Sequence, residues 1–405
     1  MRHEGYLPGS SGYRRIVWSL FAAGLATFTL LYSTQALLPD LRRDFDVSTG
    51  ASTLSVSLAM FGIGAGLLIA GPLSDVVGRT RLIHLSLGAS VVIGFASALA
   101  PTWEALLALR FADGFALAGL PAVATAYLRE ELHPSSQGRA AGLYVGGTAF
   151  GGMSGRLVSG FGAELGGGWR WGIAATVLVG LACAVLVRLA LPASRGFEPA
   201  PGNPRALAAM TRRALSDPAL LALYAIGGCS LGAMVALFNT IGFRLADPPF
   251  ALGIGAASLV FLVYPLGTVS STWFGDLADR HGRRTVIPIG AAVAIVGALL
   301  TLPDVLSLVV AGMGLLVIGF FAVHGVASGW VPLRAHLGGT SAGQAASLYL
   351  FTYYLGSAVF GTASGAAWTR AGWAGSVALS VALLVLDMAL AALLRRTPSL
   401  APGLR

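Results

Sequence analysis

Long runs of apolar residues alternate with short polar segments along the whole chain. A run of about 20 apolar residues is long enough to cross the hydrocarbon core of a bilayer as a helix. The pattern predicts an all-α membrane protein with twelve transmembrane helices, at residues 16–38, 52–73, 82–101, 104–128, 139–163, 169–191, 218–242, 252–275, 285–302, 304–330, 341–364 and 372–394.

A polar signature, G-x-L-x-D-x-x-G-R, occurs once in each half of the chain. In each half it joins the second predicted helix to the third. Its fixed residues are Gly71, Leu73, Asp75, Gly78 and Arg79 in the first copy, and Gly275, Leu277, Asp279, Gly282 and Arg283 in the second, 204 residues later. Repetition at matching places indicates internal duplication. It predicts two pseudo-symmetric six-helix bundles, 1–191 and 218–405, joined by a linker, 192–217, with Asp217-Pro218 at the start of the seventh helix.

Composition and charge place the chain in a membrane and orient it. Hydrophobic residues make up 56% and charged residues 11%, against about 25% charged in soluble domains. All 26 basic residues are arginines, and most lie in the loops and helix ends on one side. The positive-inside rule therefore predicts that both termini, both signature loops and the linker are cytosolic. Cys183 and Cys229 lie within apolar runs, so we expect neither a disulfide framework nor a metal site.

Arg110, Asp113 and Arg156 are charged residues inside predicted spans, where a charge costs at least about 2.5–3.5 kcal/mol at the bilayer centre. Arg110 and Asp113 are three residues apart on one helical face. They either neutralise each other as a structural pair or face a central cavity, where Asp113 exchanges a proton and Arg110 tunes it. Arg156 has no acidic residue within four positions. It therefore requires a partner from another helix, a water-filled cavity or an anionic substrate.

Further polar and aromatic residues within the predicted helices are candidates for lining a substrate cavity. Tyr32 and Gln35 lie three residues apart on the first helix, on the same bundle as Arg156. The candidates in the second half are Asn239, Tyr264, His324, Tyr349 and Tyr353. Asp387, on the last helix, is interpreted as structural.

The paired signature resembles that of the major facilitator superfamily, the twelve-helix secondary transporters. Leu106-x-x-x-Arg110-x-x-Asp113-Gly114 is similar to a motif of the family's proton-coupled antiporters, in which the arginine is linked to proton transfer. The resemblance to bacterial drug or sugar-efflux-like exporters rests on Gly151-Gly152-Met153-Ser154-Gly155-Arg156-Leu157 and on Tyr32-Ser33-x-Gln35-x-Leu37-Leu38-Pro39. The glycines of this fifth helix are predicted to be packing residues.

The same resemblance implies a gating role for the signature loops. Asp75 is expected to accept hydrogen bonds from backbone N–H groups near Ser341 and from Arg129. Asp279 would be its symmetry mate. Glu131 and Arg139 are expected to extend this network.

The first functional hypothesis is proton-coupled efflux, by antiport, of a small organic compound or drug through alternating access in the bacterial cytoplasmic (inner) membrane. The second is a uniporter or proton symporter for a small organic anion, with Arg156 and Arg110 binding the carboxylate. The third is a membrane receptor or scaffold that transports nothing, and the intact signature loops weigh against it.

We expect the partners to be a small-molecule substrate, protons and the lipid bilayer, and the protein to be a monomer. Nucleic acid, a cofactor and a metal are not expected. HExxH and Walker A motifs do not occur in the sequence, and its Ser, His and Asp residues form no recognisable catalytic arrangement, so an enzyme is not expected either.

Overall fold

The computed structural model describes residues 5–197 and 204–397, and the prediction of an all-α protein is confirmed. The described α-helices are α1 Ser11–Leu31, α2 Leu38–Asp44, α3 Thr49–Ser52, α4 Leu54–Val77, α5 Arg79–Ala98, α6 Trp103–Leu117, α7 Gly119–Glu131, α8 Pro134–Gly166, α9 Trp169–Ala190, α10 Pro204–Ala214, α11 Pro218–Ala246, α12 Ile254–Ser258, α13 Leu266–His281, α14 Arg283–Leu300, α15 Leu306–Leu337 and α16 Ala342–Arg396. Two short 3-10 helices, Gln35–Leu37 and Leu259–Val263, complete the list. Residues 198–203 of the predicted linker lie outside the described residues.

Ten helical segments of the described chain are long and apolar enough to cross a membrane. The 55-residue α16 counts once among them, although Ala371 and Gly372 interrupt it with non-helical backbone angles. Gly372 has φ 57°, a left-handed value that glycine adopts without a steric penalty. The 33-residue α8 is not among the ten, since its sequence is rich in glycine. Twelve spans and cytosolic termini stay predictions.

Side chains at the helix starts satisfy backbone N–H groups that have no intrahelical acceptor. The hydroxyl of Ser10 accepts from Tyr13 at the start of α1, and Thr102 caps α6 in the same way. Asp217 caps α11, whose first residue is proline, as the Asp217-Pro218 pair predicts. Ser341 caps α16. These caps explain why the helices begin at polar positions beside apolar runs.

The described chain forms two compact units. The first contains the described residues of 1–40, 58–202 and 254–258, and the second those of 41–57, 203–253 and 259–405. The predicted division into bundles 1–191 and 218–405 with a linker between them stays a prediction.

Glycines bring helices of the first unit into backbone contact. On α8, Gly147, Gly151 and Gly155 recur every four residues and so share one face. A Cβ atom at any of them would collide with the backbone of α1, at Phe21, Leu25 and Thr29 respectively. Small residues are expected at such interfaces, because van der Waals contact supplies the association energy in lipid. The prediction that these glycines pack helices is confirmed at these three positions.

Glycines do the same in the second unit. Gly228 of α11 and Gly356 of α16 face each other so closely that a Cβ atom at Gly356 would overlap the Gly228 backbone. Gly312 and Gly319 of α15 contact the backbone of α14 in the same manner. A core of buried apolar side chains fills the space between these helices; its largest members include Leu220, Leu223, Ile226, Tyr224, Phe274, Val323 and Leu348.

The two signature loops share one backbone conformation. Gly78, between α4 and α5, has φ 97° and ψ 148°, and Gly282, between α13 and α14, has φ 86° and ψ 140°. Positive φ values of this kind favour glycine, which explains the second glycine of the signature. The preceding signature residues are helical, so each turn is confined to a single residue.

Candidate functional site

The first helix is broken at the position of two predicted cavity residues. α1 ends at Leu31, and a turn at residues 32–34 leads into the 3-10 helix Gln35–Leu37. Pro39 lacks an N–H group, and in a continuous helix its ring would collide with the carbonyl group of Gln35. The break leaves carbonyl groups in the last turn of α1 without intrahelical donors. They therefore need partners from elsewhere.

Arg110 on α6 supplies these partners. Its Nη2 donates to the carbonyl oxygen of Leu31 over 2.6 Å, and its Nη1 lies 3.4 Å from the carbonyl oxygen of Leu30. Nη1 also donates to Oδ2 of Asp113 over 2.6 Å. Both charged side chains are only 1% exposed. The two residues thus form the ion pair that their spacing allows, and Arg110 ties the end of α1 to α6.

Arg156 on α8 binds the residues that follow the break. Its Nε donates to Oε1 of Gln35 and its Nη1 to the carbonyl oxygen of Gly152, both over 2.5 Å. The guanidinium carbon lies 3.8 Å from the centre of the Tyr32 ring, within the range of a cation–π interaction. The side chain is fully buried. Tyr32, Gln35 and Arg156 thus lie together, while their contact with a substrate stays a prediction.

In the second unit, three predicted cavity residues form an aromatic cluster. Nδ1 of His324 is 3.0 Å from the hydroxyl of Tyr349. The rings of His324 and Tyr353 have centroids 4.6 Å apart. His324 also stacks on Phe320 with an interplanar angle of 5°. Such a cluster presents flat apolar faces together with polar edges.

The other two candidates of the second unit lie differently. Tyr264 contacts Phe321, which in turn contacts the Phe320 ring of the cluster. Asn239 donates from Nδ2 to the carbonyl oxygen of Gly361 over 3.3 Å and so binds the backbone of α16. Tyr264 therefore borders the cluster, whereas Asn239 holds two helices together.

The first signature loop holds an ion-pair network that the sequence reasoning did not predict in full. Nη1 of Arg79 donates to Asp75 Oδ1 over 2.6 Å, and its Nη2 donates to Glu130 Oε1 over 3.0 Å. The expected donor Arg129 has an exposed side chain, as does Arg139. Glu130 was missed because Glu131, its neighbour, was assigned to the network. The expected contact of Asp75 near Ser341 stays a prediction.

Glu131 instead anchors the beginning of the linker. Its Oε1 accepts from Ser194 Oγ over 3.1 Å and from the backbone N–H groups of Arg195 and Gly196 over 2.5 and 2.9 Å. The side chain is fully buried. A buried carboxylate needs such donors, and here they come from residues 63 to 65 positions later in the chain.

Replacing Glu131 with alanine is expected to release the linker. Losing hydrogen bonds to a charged group costs about 1.5–3 kcal/mol, and the freed segment would expose the peptide bond after Arg195. Limited trypsin digestion of the purified protein should then cleave there several-fold faster. Glu130→Ala is the matched control, because the Glu130 side chain binds Arg79 rather than the linker. Equal cleavage rates in the two variants would contradict the anchoring role.

The second signature copy differs from the first. In the described part of the second unit, neither Asp279 nor Arg283 forms an ion pair, and the Asp279 side chain is exposed. The duplicated sequence thus reproduces the backbone turn, but not the ion pairs. The symmetric role predicted for Asp279 stays a prediction.

Asp217 and Arg334 form an ion pair at the start of α11 that the sequence reasoning missed. Nε of Arg334 donates to Oδ2 over 2.8 Å and Nη2 donates to Oδ1 over 3.2 Å. Partial burial alone raises the pKa of the Asp217 carboxyl. The hydrogen bonds from Arg334 and from the Ala219 backbone outweigh burial and hold this pKa below its ordinary value.

Comparison with known proteins identifies the family. The family model described as Major Facilitator Superfamily matches residues 20–273. The uncharacterized MFS-type transporter YybF of Bacillus subtilis (strain 168) is 38% identical over 390 residues, which cover 96% of this chain and 95% of that protein. This chain belongs to the major facilitator superfamily. The inner membrane transport protein YnfM of Escherichia coli (strain K12) is 39% identical over 388 residues, 96% of this chain and 92% of YnfM.

Solved structures of the superfamily share the fold. One is a bacterial homolog of the human lysosomal transporter Spinster, in an inward-facing and unoccupied conformation. It superposes with a TM-score of 0.78 at 17% sequence identity, and the match covers 96% of this chain and 98% of the homolog. The nucleoside transporter NupG gives a TM-score of 0.70 at 16% identity, with 94% and 99% covered. As a superfamily member, the chain is a multi-pass membrane protein and a secondary transporter of small molecules.

Proposed function

We propose that this superfamily member is a proton-coupled exporter of a small organic compound or drug in the bacterial cytoplasmic membrane. The observation that carries the proposal is that the Arg110–Asp113 pair and Arg156 bind the same short break in the first helix. The relative YnfM, an inner membrane transport protein, supports the location. Alternating access would follow the rocking of one repeat against the other that is general for such transporters.

Asp113 is the proposed proton site. Its Oδ2 binds Arg110, and the Ser90 hydroxyl of α5 interacts with the same carboxyl. Protonation would remove the counter-charge of Arg110, and a buried guanidinium without a counter-charge is unfavourable. A conformation that hydrates Arg110 would then gain population. Because Arg110 also binds the Leu31 carbonyl, the change would reach the first helix.

The proposed substrate contacts lie on the same segment. Tyr32 directly follows the Leu31 carbonyl that Arg110 binds, Gln35 lies three residues further on, and Arg156 binds both of them. A substrate that stacks on Tyr32 or bonds with Gln35 would compete with Arg156. Proton and substrate would therefore act on one stretch of a few residues. Antiport requires such coupling between the two ligands.

Replacing Asp113 with asparagine is expected to abolish transport driven by a pH gradient while leaving binding in place. A thermal-shift screen of the purified protein with ethidium, lactose and lactate across pH 5–8 selects the probe, since a bound ligand raises the melting temperature. The selected probe is then offered to proteoliposomes with an acidic lumen. Wild type should accumulate it, and Asp113→Asn should only equilibrate it.

Glu104→Gln is the control, because Glu104 lies on the same helix with an exposed side chain. It should transport as wild type does. If Asp113→Asn accumulated the probe to the wild-type level, Asp113 would not be the residue that couples transport to protons. If wild type accumulated the probe equally with and without the pH gradient, proton antiport itself would be contradicted.

A transporter of small organic anions is the second candidate, and the buried Arg156 favours it. Arg110 is a weaker choice for binding a substrate carboxylate, since it already binds Asp113 and the Leu31 carbonyl. Lactate should then raise the melting temperature more than ethidium does. Arg156→Lys should keep part of this shift and Arg156→Gln should lose it. The reverse order would contradict an anion site at Arg156.

A further inference from the structure

Asp387 lies in the second unit, on the part of α16 that follows its interruption. The side chain is fully buried. Oδ2 accepts a hydrogen bond from the Ser230 hydroxyl of α11 over 2.6 Å. Oδ1 has no hydrogen-bond partner in the described chain. The sequence reasoning interpreted this residue as structural.

Among the residues that the structure describes, the groups around Asp387 supply no compensating cation. Its titratable neighbours include Cys229, which precedes Ser230 on α11, and Tyr349 of the first part of α16, and neither side chain can carry a positive charge. On α15, His324 is bound to Tyr349 and Arg334 to Asp217.

The charged residues of α14 lie at its first turn, away from the carboxyl. There Arg284 binds the backbone carbonyls of Arg395 and Thr397, beyond Asp387 on α16. In the described part of the chain, Asp387 thus differs from Asp113, which has an arginine partner. A carboxylate so placed in a membrane interior is unfavourable.

One helical turn of α11 separates the hydrogen-bond partner of Asp387 from the aromatic cluster. Ser230 lies one helical turn after Gly227, and the Tyr349 ring packs against Gly227. Tyr349 in turn shares a hydrogen bond with His324. The hydrogen-bond partner of the carboxyl therefore lies one helical turn from the residues that were predicted to line the cavity in this half of the chain.

We propose that Asp387 is a second proton-binding site, which carries its proton in this conformation and exchanges it with solvent. Its ligand is the proton alone, since one serine hydroxyl and one carboxyl are too few oxygen ligands for a metal cation. The site does not depend on Asp113, because the two carboxyls lie in different units. A test of this site can therefore fail while the proposed antiport mechanism remains supported, and the reverse also holds.

Infrared difference spectroscopy on the purified full-length protein tests this directly. The spectrum of wild type minus Asp387→Asn should contain the C=O stretch of an un-ionised carboxylic acid at pH 7, and deuterium oxide should shift that band. Raising the pH should replace it reversibly by carboxylate bands. In Ser230→Ala the acid band should persist to higher pH, because the hydroxyl that stabilises the carboxylate is gone, by about one to two pH units.

Two results would overturn the proposal. Carboxylate bands for Asp387 already at pH 6 would mean that the side chain is ionised in place. If the acid band remained at every pH until the protein denatured, Asp387 would be a permanently protonated structural residue that does not exchange its proton with solvent. Asp304 is the control carboxyl, since it is exposed and paired with Arg244, and Asp304→Asn should remove carboxylate bands only. Asp387→Asn preserves size and shape, so its fold is checked by an unchanged melting temperature.

Discussion

Replacing Arg110 with methionine is expected to lower the free energy of unfolding by about 3–5 kcal/mol, the usual cost of removing one partner of a buried ion pair. The variant leaves the Asp113 carboxyl buried without its cation, and it leaves the Leu31 carbonyl without its donor. Unfolding in increasing concentrations of sodium dodecyl sulfate measures the change. The loss should shrink at low pH, because protonation neutralises the stranded carboxyl.

A double variant separates charge from packing. Arg110→Met combined with Asp113→Leu removes both charges, so it should be more stable than Arg110→Met by about 2 kcal/mol. It should not regain full stability, since the Leu31 carbonyl still lacks its donor. Arg188→Met is the surface control, because Arg188 is exposed near the end of α9, and should change stability by less than about 0.5 kcal/mol. Equal losses in the single and double variants would contradict a net contribution from the pair.

Local patterns allowed the membrane class, the internal repeat and the Arg110–Asp113 pair to be predicted. Apolar runs report burial in lipid directly, and a three-residue spacing places two side chains on one helix face. The positive φ angle at Gly78 and Gly282 likewise follows from a glycine repeated at one position of the signature. Each of these depends on residues that are close in the sequence.

The partners of Arg156 and Glu131 could not be predicted in this way. Gln35 is 121 residues from Arg156, and the linker amides are more than 60 residues from Glu131. Backbone N–H groups also leave no mark in the sequence that could identify them as partners of a carboxylate. The break after α1 was missed because its few polar residues, Ser33 to Gln35, lie inside an otherwise apolar run of spanning length. Its one signal, Pro39, lies several residues beyond the break.

Replacing Gly151 with valine is expected to lower the free energy of unfolding by more than about 3 kcal/mol. This exceeds the usual range for overpacking, because the added atoms would collide with backbone atoms and not with a side chain that can move. An added Cβ atom would lie 2.5 Å from the carbonyl oxygen of Leu25 on α1. The two helices would have to separate, which would also break the 3.3 Å hydrogen bond from Thr29 to the Gly151 carbonyl. We expect little monodisperse protein by size-exclusion chromatography and a large loss in the detergent unfolding assay.

Gly146 provides a matched control on the same helix, because a Cβ atom there would meet nothing within 4 Å. Gly146→Ala should be neutral or stabilising by up to about 1 kcal/mol, since alanine favours helix more than glycine does. Gly151→Ala should destabilise, and less than Gly151→Val. The substitution also acts on the proposed site, because Gly152 supplies the carbonyl oxygen that binds Arg156. Equal stability of Gly146→Ala and Gly151→Ala would contradict this account. It would mean that the close packing of α8 against α1 does not hold Arg156 beside the break in the first helix.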